Sequence, residues 1–247
     1  MNESPQTHFG FQSVSPEEKR HKVNAVFDSV ASQYDRMNDL MSMGLHRLWK
    51  RWAVCVARIR PEHRVLDLAG GTGDLAKLML PRLKSAEQLV LADLNSSMLN
   101  VGRNRLLDEG YHVPVVQCNA EYLPFASRSF DRVTIAFGLR NVVNKEQALS
   151  ELVRVLKPGG EAYILEFSPV THPLIQKTYD WYSFNILPRM GQWMTKDAAS
   201  YQYLAESIRM HPEPGVLGDM MGAAGFDRIE WFSLTAGVVV LHRGIVY

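Results

Sequence analysis

Val65-Leu66-Asp67-Leu68-Ala69-Gly70-Gly71-Thr72-Gly73-Asp74 is the stretch whose reading decides the fold. A short apolar run carrying one carboxylate breaks into glycines, and Asp74-Leu75-Ala76-Lys77-Leu78-Met79-Leu80 follows with helical spacing. The pattern predicts a strand, a tight turn and a helix N-terminus. Glycine lacks a Cβ, so the turn backbone can approach a ligand closely. The first amides of the helix have no intrahelical partner and are free to meet it. Such a loop binds a nucleoside-bearing cofactor.

Outward from this stretch, strands alternate with helices. Strands are predicted over Arg64–Ala69, Gln88–Asp93, Val113–Cys118, Asp131–Phe137 and Glu161–Phe167. Helices are predicted over Ser96–Glu109 and Lys145–Leu156, the second stopped by Lys157-Pro158-Gly159-Gly160. The alternation predicts an α/β fold with a doubly wound parallel sheet and ligands at the carboxyl ends of its strands. Residues 171–212 interrupt the rhythm with Trp181, Tyr182, Phe184, Trp193, Tyr201 and Tyr203, and read as a helical insertion covering the active site. A last helix over Gly215–Ala224 precedes a closing hairpin of Phe226–Leu234 and Gly237–Arg243.

On the N-terminal side, residues 1–20 read as a flexible arm and 21–247 as a single domain with a helical cap over 21–60. Lys22–Tyr34 is predicted helical, with Val23, Val26, Phe27 and Val30 on one face. Tyr34-Asp35-Arg36-Met37-Asn38-Asp39 is either a surface turn or a lid over a pocket. In Gly44–Arg60, Leu45, Leu48, Trp49, Trp52, Ala53 and Val56 repeat at helical spacing, opposite His46, Arg47, Lys50 and Arg51. A basic amphipathic helix with tryptophans suits a membrane surface, and the same pattern suits a core-packing helix with a solvated basic face.

Composition narrows the classes. The chain has 247 residues, 46% hydrophobic and 21% charged, enough for a large single core. A net charge of +1 gives no nucleic-acid signal. Cys55 and Cys118 have no zinc spacing and form no disulfide framework, so no metal site is expected and a reducing compartment fits. No signal-peptide pattern is visible, and no apolar run approaches the roughly 20 residues of a membrane span.

Gly71-x-Gly73-x-x-Ala76 fits the dinucleotide pattern, and Asp93 at the end of the second strand is placed to accept both ribose hydroxyls. NAD and S-adenosylmethionine (SAM) are both admitted at this point. Three features favour SAM. Asp67-x-Ala69-x-Gly71-x-Gly73 resembles motif I of the class I SAM-dependent methyltransferases, with alanine in place of its first glycine. Asn119-Ala120-Glu121, leading into Leu123-Pro124-Phe125, resembles the segment that holds adenine in that superfamily. Leu156-Lys157-Pro158-Gly159-Gly160 is similar to its usual turn after the helix.

A narrower resemblance lies in Tyr34-Asp35-x-Met37-Asn38-x-x-Met41-Ser42-x3-His46-x2-Trp49-Lys50 and in Arg154–Gly160 through Leu165-Glu166-Phe167-Ser168. Phe137-Gly138-Leu139-Arg140-Asn141-Val142 and Ser200-Tyr201-x-Tyr203-Leu204-x-Glu206-Ser207-Ile208 extend it. Together these resemble the ubiquinone/menaquinone biosynthesis C-methyltransferases, the UbiE/MenG family, from about Lys22 to the C-terminus. The resemblance implies a Rossmann-like class I fold, SAM as cofactor, and methylation of a ring carbon in a polyprenylated quinol: demethylmenaquinol, and 2-polyprenyl-6-methoxy-1,4-benzoquinol. It implies SAM contacts at Gly71, Thr72, Gly73, Asp93, Asn119 and Ala120. Many members carry serine where this chain has Ala136, so one side-chain hydrogen bond to the cofactor is expected to be absent.

Carbon methylation needs a ring carbon activated by an ionised hydroxyl and aligned with the methyl donor. Arg140, after the fourth strand, is the candidate for stabilising that phenolate, or else a structural salt bridge. Asn141 orients the same hydroxyl, or caps the helix at Lys145. His46 is the candidate proton acceptor, or a structural histidine. Tyr34 and Asp35 close over the site or cap a helix, and Glu166 faces the cleft in a packing or catalytic role. Asp67 braces the glycine turn by accepting backbone amides. Expected partners are the quinol, the periphery of the inner membrane on its cytoplasmic side and neighbouring quinone-biosynthesis enzymes, with a homodimer left open. A non-catalytic SAM-binding module, an NAD(P) oxidoreductase, and a sterol or other phenolic-lipid acceptor are the competing readings.

Overall fold

The computed structural model describes residues 6–31, 34–169 and 198–247. The strands are β1 (Thr7–Phe9), β2 (Gln12–Val14), β3 (Val65–Leu68), β4 (Leu89–Asp93), β5 (Val115–Gln117), β6 (Phe130–Ala136), β7 (Leu156–Phe167), β8 (Arg228–Leu234) and β9 (Val239–Ile245). The helices are α1 (Pro16–Val30), α2 (Tyr34–Ser42), α3 (Leu45–Val56), α4 (Asp74–Met79), α5 (Ser96–Asp108), α6 (Lys145–Val155), α7 (Ala198–Arg209) and α8 (Pro214–Ala224).

A seven-stranded sheet has the order β5-β4-β3-β6-β7-β9-β8. Its strands are parallel except β9, which runs antiparallel to both neighbours. The chain winds outward from β3 to β5, then returns to β6 on the other side of β3. That reversal opens a crevice at the carboxyl ends of β3 and β6. Every residue of β3 is buried, as a central parallel strand covered on both faces requires. Val65 joins a core with Leu75, Leu91, Leu106 and Leu165 on one face, while Leu66 and Leu68 join Val133, Leu149, Leu152 and Ile164 on the other. Each fully buried leucine contributes about 1.5–3 kcal/mol.

The predicted alternation and closing hairpin are observed, with shifted boundaries. The helix predicted from Lys22 begins at Pro16. Ser15 caps it by accepting from the Glu18 amide at 3.2 Å, with proline in the first turn and Glu17 and Glu18 favouring the positive dipole end. Residues 7–14, expected to lie in a flexible arm, form the β1–β2 hairpin. Phe9 stacks on Tyr203 with ring centroids 4.2 Å apart, and the Phe11 amide donates to Glu206. Tyr34–Ser42 is helix rather than turn. The predicted Lys157–Gly160 stop is a break in register inside β7, where Gly159 adopts a φ of +77°. Of the predicted insertion, 170–197, with Trp181, Tyr182, Phe184 and Trp193, lies outside the described residues.

Helix α3 uses its aromatic face for the core. Trp49 is buried, its ring 6.2 Å from Phe137 and 6.0 Å from Phe167, and its indole N–H donates to Thr235 at 2.8 Å. Trp52 meets Phe232 edge-on. Of the two readings of this helix, the tryptophans follow the core-packing one.

Candidate active site

The crevice is a chamber of about 1030 Å³, counted to its open mouth. Its floor is the glycine turn. Gly71 and Gly73 take φ of +52° and +76°, and Gly73 is the N-cap of α4. The turn is closed by the Gly73 amide donating to the Gly70 carbonyl at 2.9 Å and the Gly70 amide donating to Ala92 at 3.0 Å. A Cβ on Gly102 of α5 would stand 2.5 Å from the Gly71 carbonyl oxygen, so a second glycine, across the sheet layer, makes room for the first. Ala69 occupies the motif position usually held by glycine at φ +52°, and its methyl fills the space where a Cβ on Gly138 would lie, 2.4 Å away.

Asp93 braces this turn. Its Oδ2 accepts from the Gly71 amide and its Oδ1 from the Asn95 amide, both at 2.9 Å. Burial pushes its carboxyl up, opposed by these backbone bonds. Asp67, expected in that bracing role, does something else. It is buried, and Oδ1 accepts from the Thr134 hydroxyl at 2.8 Å. Among the described residues Oδ2 accepts no hydrogen bond, the Ala76 amide lying near enough to favour its charge without closing one. Burial raises the Asp67 carboxyl to about 7, against the pull of Thr134 and Lys50. A buried carboxylate oxygen left unpaired beside a backbone cradle suits a cationic ligand group.

Thr72, Asn119, Ala120 and Ala136 line the same chamber. Asn119 fixes its own loop, Oδ1 accepting from the Glu121 amide at 3.0 Å. Sequence reasoning missed Lys50, assigned there to the basic outer face. It is buried, lines the chamber and reaches Asp74 at 2.8 Å. Burial opposes the Asp74 charge, but Lys50 and Arg105 prevail and hold its pKa down. Also missed was the wall supplied by α1. Arg20, Val23, Asn24 and Phe27 face the chamber, and α1 is fastened by Arg20 to Glu121 at 3.2 Å and by Asp28 to the Asn95 amide group at 2.9 Å. The Ser-Pro-Glu-Glu start of α1 was the available signal.

A second chamber adjoins the first and shares Phe27, Tyr34 and Phe137 with it. Val26, Val30, Met37, Phe167 and Leu204 make it largely apolar, and Arg140 lines it. Arg140 is buried, and its Nη1 meets Glu166 Oε1 at 2.7 Å and the Phe137 carbonyl. Burial opposes the guanidinium charge, but Glu166 outweighs it and raises the pKa further. Nε has no partner among the described residues. Glu166 accepts from the Arg140 side chain, the Arg140 amide and the Phe167 amide, so its carboxylate is committed. Asn141 lines the cofactor chamber and accepts the Tyr203 hydroxyl at 2.9 Å; the cap of α6 is Asn144, not Asn141. Burial raises the Tyr203 phenol to about 12, keeping it a neutral donor.

His46 is not brought to either chamber. It is buried on α3 with Nε2 2.9 Å from Asp39, and burial lowers its pKa. The structure thus removes the expected proton acceptor from the site. Among the described residues, no group of His, Cys, Asp and Glu is placed to hold a metal.

The ubiE/COQ5 methyltransferase family profile matches residues 15–246. The chain belongs to this family. Over 239 residues it is 57% identical to the ubiquinone/menaquinone biosynthesis C-methyltransferase UbiE of Bordetella parapertussis, spanning 97% of this chain and 92% of that one. It is 57% identical over 241 residues to the UbiE of Hydrogenovibrio crunogenus, spanning 97% and 95%. Among solved structures, a SAM-dependent methyltransferase from Aquifex aeolicus shares the fold with a TM-score of 0.63 at 14% identity, over 86% of this chain and 98% of that one. Haemonchus contortus phosphoethanolamine N-methyltransferase 2, in complex with SAM, does so with a TM-score of 0.59 at 16% identity, over 79% and 52%. Membership of the family makes the chain a methyltransferase and its cofactor SAM, and sets the dinucleotide reading aside.

Proposed function

We propose that the two chambers serve methylation of a quinol ring carbon in polyprenylated precursors, a reading that the names of the UbiE relatives, C-methyltransferases of ubiquinone and menaquinone biosynthesis, support. One observation carries the reading. Arg140, whose Nε has no partner among the described residues, lines an apolar chamber that shares the walls Phe27, Tyr34 and Phe137 with the chamber of the glycine cradle.

SAM supplies the methyl group as an electrophilic sulfonium. Asp93 would take the ribose hydroxyls on carboxylate lone pairs not used by Gly71 and Asn95, and Thr72 and Asn119-Ala120, which line the same chamber, would hold the remaining nucleoside. Asp67 and Lys50 face the charged end. In the acceptor chamber the rings of Phe137, Phe167 and Tyr34 hold an aromatic ring and its prenyl chain out of water. Arg140 remains protonated, so its part is to stabilise the phenolate by charge-assisted hydrogen bonding. Asn141, oriented by Tyr203, fixes the hydroxyl or a water beside it. The acceptors in this reading are demethylmenaquinol and 2-polyprenyl-6-methoxy-1,4-benzoquinol, met at the periphery of the inner membrane. The test is transfer of labelled methyl from SAM to a short-chain quinol. Transfer supports the reading, while transfer to a sterol or another phenolic lipid and none to the quinol would overturn it.

A further inference from the structure

The outer face of α3 has no part in either chamber. With the tryptophans turned inward, Arg47, Leu48, Arg51, Cys55 and Arg58 form one exposed stripe. Leu48 is 58% exposed, and Met43, in the corner leading into α3, is 77% exposed, so two apolar side chains stand among the arginines of this face. Arg82 lies against the same stripe, donating to the Val54 carbonyl and approaching the Cys55 sulfur at 3.6 Å. No acidic residue occurs from Leu40 to Pro61. The carboxylate facing the stripe is Asp39, which Arg47 and His46 engage.

We infer that this corner and stripe dock the enzyme on an anionic lipid bilayer, with Met43 and Leu48 entering the headgroup layer and Arg51, Arg58 and Arg82 meeting lipid phosphates. Apolar side chains set among arginines match a lipid surface, which offers anionic headgroups above hydrocarbon. A polyanion such as RNA would offer Leu48 and Met43 nothing. Position argues the same way. Met37 and Asn38 of α2 line the acceptor chamber, and Met43 directly follows the end of that helix at Ser42, about 6 Å of helical rise beyond Asn38. Docking at this corner brings the apolar chamber to the bilayer, so that a lipid-soluble acceptor passes between two apolar media. The inference rests on the proposed quinol acceptor for its purpose, not for the binding itself.

The test compares wild type with Leu48→Ser/Arg51→Glu/Arg58→Glu in the full chain, with equal melting temperature and SAM affinity as the folding controls. Arg82 stays in place because it also ties α3 to its neighbour. Sedimentation uses vesicles of phosphatidylcholine alone and with phosphatidylglycerol. Wild type is expected to sediment with the anionic vesicles, less so at high salt, and the variant to lose at least about tenfold in partitioning, by the roughly 1 kcal/mol per basic residue of such contacts. Methylation of a water-soluble short-chain quinol is expected to be unchanged in the variant, while methylation of a long-chain quinol carried in anionic vesicles falls. Equal vesicle binding by the two proteins, absence of wild-type binding, or preference of wild type for RNA or an acidic peptide over vesicles would overturn the inference. Failure of wild type on the short-chain quinol would instead count against the proposed acceptor.

Discussion

The cofactor chamber and the acceptor chamber lie side by side and are built by different means. The first is made mostly of backbone: positive-φ glycines, amides aimed at a carboxylate, and a facing helix with Gly102 at the contact. The second is made of side chains from distant segments, α1, α2, the end of β6, the end of β7 and α7, around one buried ion pair. A backbone cradle tolerates little change at its glycines and is indifferent to much else. A side-chain chamber can be reshaped by substitution, and its one polar device carries the chemistry. The difference separates binding from turnover.

The largest expected effect is at Arg140. Arg140→Leu should lower turnover by at least about 100-fold, on the scale of roughly 3–4 kcal/mol for a lost transition-state donor. It should also lower unfolding free energy by about 3–5 kcal/mol, because Glu166 is left buried and unpaired. Pairing it with Glu166→Leu should restore most of the stability and none of the turnover. SAM affinity by calorimetry should be unchanged in both. Wild-type turnover in the single variant would remove Arg140 from the chemistry.

Asp93→Ala should weaken SAM binding by about 1.5–3 kcal/mol, the range for hydrogen bonds to a charged group. Gly102→Ala should do much the same without touching a polar group, since its methyl must displace the Gly71 carbonyl. Tight SAM binding by Gly102→Ala would mean that the cradle is softer than its contacts imply.

A smaller effect concerns pH. Asp67, raised by burial to about 7, is partly protonated in the free enzyme near neutrality. A cationic ligand favours its ionised form, so SAM binding should release protons and weaken severalfold as pH falls from 8 to 6. Calorimetry in buffers of different ionisation enthalpy measures the release. Binding without proton release would place the ligand's positive charge away from Asp67. The smallest effect contrasts two asparagines. Asn144→Ala removes a helix cap worth about 1 kcal/mol, lowering Tm by about 2–4 °C with kinetics intact. Asn141→Ala should reduce turnover as well as lower Tm, because the buried Tyr203 hydroxyl loses its acceptor.

Legibility in the sequence followed the same division. The glycine turn, Asp93 and Asn119-Ala120 were readable because a backbone device occupies consecutive residues. Arg140 and Asn141 were readable through the family resemblance, but their partners were not. Glu166 meets Arg140 and Tyr203 meets Asn141 across long separations that no local pattern encodes. Lys50 was misplaced because helical periodicity assigns a charged residue to solvent, and burial beside Asp74 overrides it. His46 failed in the opposite sense: a residue type suited to proton transfer is held by Asp39, away from both chambers. The Asp67 reading failed because the hydrogen bond to its carboxylate comes from Thr134 on the adjacent strand, not from the turn.

The anchoring of α1 bears on how the protein is made. Its fastenings reach far along the chain: Phe11 to Glu206, Lys19 to the Val142 carbonyl, Arg20 to Glu121, and Asp28 to Asn95. Asn95 and Glu121 lie between β4 and β6, so that half of the sheet already offers α1 its first partners, and Val142 and Glu206 fasten it further. The wall that completes the cofactor chamber is thus held by contacts of long sequence separation, whose loop closure slows folding.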